Sequence, residues 1–150
     1  MKKNNIRSIL GIVLICVLLL GENVLAADMV DGSALTEDTD SIGLSEIMPR
    51  GVYLQSGYSN ISKTGTGSIA AGGTTNAQTS VSTVKVSVIV EKYVGGNWIQ
   101  YTSWSATRYN ASSVTSGKTM NVPTGYYYRT RSIHSANSDM SSSQTNGLYV

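Results

Sequence analysis

The chain has 150 residues with one cysteine, one histidine and no phenylalanine, and its formal net charge at pH 7 is +2. A single thiol excludes an intrachain disulfide framework, and one histidine excludes the clustered imidazole and thiolate ligands of a structural zinc site. A balance so close to neutral, with its bases evenly scattered, argues against a dedicated nucleic-acid groove.

In chain order, Lys2, Lys3 and Arg7 precede an apolar run over residues 9–20 that is broken only by Gly11 and Cys16, and Val24-Leu25-Ala26 follows. A positive end, a short apolar run and a small residue form the layout of a secretory signal peptide, which predicts cleavage after Ala26 or Ala27 and sets residues 1–26 apart. The run stops at Gly21-Glu22, short of the about 20 apolar residues a spanning helix requires. Cys16 lies inside the run instead of just after it, where a lipid anchor would need it. The expectation is a secreted chain with no stable membrane anchor, free or loosely held at the cell surface. Its only cysteine leaves with the signal, so the exported part must be held together by its core.

Residues 28–47 carry Asp28, Asp31, Glu37, Asp38, Asp40 and Glu46 without a single base. Small polar residues fill the gaps, and such a segment buries too little apolar surface to offset its ordering entropy. This predicts a flexible acidic arm over residues 27–48. The acids lack the alternating oxygen spacing and turn glycine of a calcium loop. From Pro49 onward the balance reverses to +6, eight bases against Glu91 and Asp139, so the boundary of a single domain, residues 49–150, falls at Pro49-Arg50-Gly51. The arm, at −6, is either a plain spacer or a salt-sensitive shield over the basic surface of the domain.

Within the domain, residues 51–62 read as a first strand pair or one strand kinked at Gly57, residues 64–73 as a short strand bounded by turn residues, and residues 75–83 as a loop or the run-in to the next strand. Val84, Val86, Val88 and Val90 then alternate with Lys85, Ser87 and Glu91, the period that sends one side of a pleated strand into a core. Gly95-Gly96-Asn97 supplies a reversal, and the Trp98 arm returns as the second half of a hairpin. Val114, Met120 and Val122 flank a turn expected at Ser116-Gly117-Lys118. Residues 126–133 form a strand by their aromatic and β-branched content, residues 135–146 a polar loop, and residues 147–150 a closing strand. No apolar 3.6-residue period persists for three turns. Six to eight short strands with turns between them predict an all-β chain, a single antiparallel β-sandwich of about 100 residues.

Pro123, Thr124 and Gly125 followed by Tyr126, Tyr127 and Tyr128 resemble the corner of fibronectin type III and immunoglobulin-like domains, in which a tyrosine hydroxyl ties back to the chain before the strand. Tyr128 or Tyr126 is the buried member on this reading. Alternation then turns Tyr127, Arg129 and Arg131 outward and Thr130 and Ser132 inward. The signal peptide, residues 91–98 with Trp104 after them, residues 125–131, His134 and the Asn146-Gly147-Leu148-Tyr149-Val150 end together resemble a family of small exported proteins of Gram-positive bacteria whose function is unassigned. The likeness covers residues 51–150 and implies no activity and no functional residue.

His134 lies among Ser132, Ser135, Ser138 and Asp139, but no strained glycine-flanked serine turn marks a nucleophile. Glycoside hydrolysis needs two carboxylates across the bond, and the domain has only Glu91, read as the solvent side of the hairpin, and Asp139. Metal ligands and a phosphate-cradling loop are missing too, so the expectation is a non-enzymatic protein without cofactor or metal. Aromatic residues with polar edges serve carbohydrate or peptide recognition, although cross-strand packing accounts for most of them. The candidate contact face consists of Trp98, Tyr101, Trp104, Tyr127, Arg129 and Arg131, with cell-wall carbohydrate, an anionic wall polymer or a peptide as partner. A purely structural secreted protein is the alternative, and a hydrolase using His134 the remote one.

Overall fold

The computed structural model describes residues 29–30, 33–45 and 51–150, and the predicted signal peptide lies outside them. Among the described residues there are nine strands and no helix: β1 (Met29–Val30), β2 (Ser33–Thr36), β3 (Asp40–Leu44), β4 (Leu54–Gly65), β5 (Ser68–Val94), β6 (Asn97–Asn121), β7 (Tyr127–Ala136), β8 (Asp139–Gln144) and β9 (Gly147–Tyr149). They join in one sheet of order β1-β2-β9-β7-β5-β4-β3, with β6 along the other flank of β5 and β8 beside β7. All pairings are antiparallel except β2 with β9, so the sheet is mixed.

The expected hairpin is β5–β6. Val94 pairs with Asn97, and Gly95 and Gly96 between them have φ of 58° and 86°, left-handed values that favour glycine at both turn positions. Its valine face is the core. Val84, Val86, Val88 and Val90 are fully buried, Val90 against Ile61, Ile69, Tyr128 and Leu148, and the other three against Ala77, Val81, Val114 and Ala136. Trp104, half-buried, touches both groups.

The all-β reading holds, but the strands are not uniformly short. β5 has 27 residues and β6 has 25. The polar stretch 75–83 lies within β5, and Gly117 sits mid-strand opposite Gly72 where the sequence suggests a turn. Residues 135–146 contain β8, paired back on β7 through a turn at Asn137, so they too are not a loop. Pairing between β5 and β6 is irregular between Asn76 and Val81. Before that break β4 occupies one flank of β5, and after it β7 takes the same flank. The sheet therefore curls like half a barrel, and β4 crosses β7 and β8. Ser59 Oγ donates to the Ser143 carbonyl at 3.1 Å, and Gly57 lies so close to the His134 ring that a Cβ would fall inside it.

Over residues 33–45 the acidic segment is not a free arm. β2 runs beside β9 and β3 beside β4, with Ser33 buried and Ser41 Oγ accepting from the Asn146 amide at 3.0 Å. Composition misleads here because the segment docks through its backbone: an open sheet edge satisfies main-chain groups whatever the side chains are, and Ile42 and Leu44 stay exposed.

Candidate functional site

The alternation that buries Val90, Thr130 and Ser132 sends Glu91, Arg129 and Arg131 to the opposite, outer face of the sheet. Register places Glu91 directly across from Arg129 and Arg131 across from Gln144. At the hairpin end Trp98 folds back over this face, 4.5 Å from the Arg129 guanidinium and 5.1 Å from the Tyr93 ring. It rests on Gly147, where a Cβ would come within 2.7 Å of the indole. The result is a polar groove of about 500 Å³ lined by Glu91, Gly96, Asn97, Trp98, Arg129, Arg131, Ser142 and Gln144.

The floor is an ion triad. Arg129 Nε donates to Glu91 Oε2 at 2.7 Å and Arg131 Nε to Glu91 Oε1 at 3.2 Å, so one carboxylate holds two guanidiniums. Arg129 also donates from Nη1 to Ser33 Oγ at 3.0 Å, and its side chain is only 2% exposed. Two expectations are corrected here. Glu91 does not face solvent, and Arg129 does not face outward into it: Trp98 and β2 cover that part of the outer face. Arg131 remains accessible, its side chain 39% exposed.

Of the predicted contact residues, Trp98, Arg129 and Arg131 come together in the groove, and the other three do not. Tyr101 stands edge-on to buried Tyr128 at 5.8 Å on the opposite face, as the extra residue where the ladder shifts between Val90 and Glu91. Trp104, across from Val88, donates from Nε1 to Ser116 Oγ at 3.1 Å, with the Lys118 ammonium 5.0 Å from its ring. Tyr127 packs on Tyr149 and donates to Glu37 Oε1 at 3.4 Å. Sequence reasoning missed Glu91, Asn97, Ser142 and Gln144. Only the Glu91–Arg129 register brings the charges together, and strand order is not written in any local pattern.

A second polar cluster lies where β4, β5, β7 and β8 meet. His134 is fully buried, with Nδ1 2.9 Å from Thr75 Oγ1 and Nε2 2.8 Å from Ser143 Oγ, and Ser143 is 2.7 Å from Ser59 Oγ. Thr75 Oγ1 also donates to the Lys85 carbonyl at 3.0 Å, and both ring nitrogens of His134 are held by uncharged hydroxyls, one nitrogen donating and the other accepting in the neutral imidazole. Burial holds the imidazole neutral, with its pKa lowered to about 4. Asp139, the acid nearest in sequence, accepts instead from the Tyr53 and Leu54 amides at 2.6 and 3.0 Å, which hold its pKa below the usual carboxylate value. The serine–imidazole pair is therefore sealed from solvent and has a threonine where a triad has its carboxylate.

A scan against protein-family models and a search of curated proteins each find no match to the chain. Among the described residues no three of His, Cys, Asp and Glu converge to hold a cation.

Proposed function

We propose that the chain is an exported, non-enzymatic binding module whose contact site is the outer-face groove. The observation that carries this reading is the groove itself, in which a half-exposed arginine is fixed by a buried carboxylate beside a tryptophan wall. The Arg129–Glu91 pair beneath it is buried at a desolvation cost that apolar packing would avoid, which favours a contact role over a purely structural one. The non-enzymatic reading rests on the enclosure of His134 and on the engagement of Asp139 elsewhere. Export rests on the pattern of residues 1–26, and the Gram-positive kinship on the motifs named for it. We further propose that the curled sheet is a β-sandwich of the immunoglobulin or fibronectin III kind distorted by strands shared between its layers. Its support is Tyr128, fully buried, whose hydroxyl donates to the Pro123 carbonyl at 2.8 Å.

The test is a binding panel of wall glycans, anionic wall polymers and peptides. Saturable binding that Arg131→Ala weakens by tenfold or more supports the module, because truncating this exposed side chain leaves the Arg129–Glu91 pair in place. Uniform absence of binding across the panel supports the structural alternative.

A further inference from the structure

Resting on that reading, we infer that the groove takes an oxyanion, a carboxylate or a phosphodiester, carried on a hydroxyl-rich chain, with Arg131 as its two-pronged anchor. The guanidinium of Arg131 is held at Nε by Glu91 Oε1, and Glu91 is held in turn by Arg129, so the plane of the fork is set before any ligand arrives. Neither terminal amino group of Arg131 donates to a described residue, and the side chain is 39% exposed. A guanidinium with its Nε engaged presents two parallel N–H donors along its outer edge, the geometry that pairs with two oxygens of one acid group. Fixing the fork beforehand also spares the ligand the entropy of ordering a long side chain.

The other lining residues set the body of the ligand. Asn97 and Ser142 offer an amide and a hydroxyl, while the apolar lining is limited to the indole of Trp98. The Asn97 side-chain carbonyl and the Ser142 hydroxyl are placed to hydrogen-bond sugar or polyol hydroxyls, which an apolar chain does not offer. A volume of about 500 Å³ is in the range of small-ligand sites and suits a short stretch of such a chain.

The experiment is titration calorimetry of the full folded chain at low salt with a galacturonate trisaccharide, a glycerol-phosphodiester oligomer and a neutral galactose trisaccharide. At least one acidic probe is expected to bind ten times more tightly than the neutral one, and the tighter of the two identifies the source of the oxyanion. Arg131→Gln should reduce acidic binding to the neutral level, and Arg131→Lys should lose about tenfold although it keeps the charge. Lys85→Gln, exposed on the same face outside the groove, should change nothing, and circular dichroism checks that each variant is folded. Equal binding of neutral and acidic probes, or full activity of Arg131→Lys, overturns the oxyanion assignment but leaves the module reading standing. Binding by none of the three overturns it as well, and the module reading then depends on the broader panel alone.

Discussion

His134 is neutral in the folded protein because it is fully enclosed and its partners Thr75 and Ser143 carry no charge. Its folded pKa of about 4 lies below the ordinary 6.5, so the unfolded chain takes up the proton more readily. The contribution to stability is fully present above pH 6.5 and is lost as pH falls toward 4, by about 3 kcal/mol in all. As His134 is the only histidine, its imidazole proton signals are unambiguous. They should titrate near pH 4 by NMR, and a midpoint near 6.5 would rule out the enclosed arrangement. Tyr128 gives a second residue-scale prediction. Tyr128→Phe removes the bond to the Pro123 carbonyl and should cost about 1 kcal/mol in denaturant unfolding. This tyrosine was legible from its corner motif because the signal is local. Arg129 was not, since its burial depends on Glu91, 38 residues away, and on Ser33, 96 residues away.

At the scale of elements, the β5–β6 hairpin follows directly from alternation and the glycine pair. Gly96 has φ of 86°, so Gly96→Ala should destabilise by about 1 kcal/mol, a loss measurable by thermal unfolding. Val86→Ala and Val88→Ala should each cost about 2 to 3 kcal/mol by lost burial plus cavity. The second arm was only half readable. β6 pairs with β5 alone and alternates half-buried with exposed positions over most of its length, so apolar periodicity gives no sign that it continues past Asn110 to Asn121. The acidic segment failed for a related reason, because pattern reading scores side chains whereas β2 and β3 dock through backbone groups on sheet edges.

Taken whole, the molecule wraps one curled sheet around a valine core and carries its charged triad on the outside, under Trp98 and the docked N-terminal strands. A chain beginning at Pro49 loses β2 and β3 and with them the Ser33 contact to Arg129. Its unfolding midpoint should fall below that of a chain beginning at Ala27, and equal midpoints would return the acidic segment to the role of a spacer. The claim that the outer-face groove is the contact site is tested most directly by the two tryptophan indole N–H signals in a nitrogen-correlated NMR spectrum. Trp98 forms the wall of the groove, and Trp104 lies on the opposite face bonded to Ser116. As the galacturonate trisaccharide or the glycerol-phosphodiester oligomer is added, the Trp98 signal should move in a saturable way while that of Trp104 stays fixed. Movement of the Trp104 signal alone, or of neither at millimolar ligand, would contradict the account.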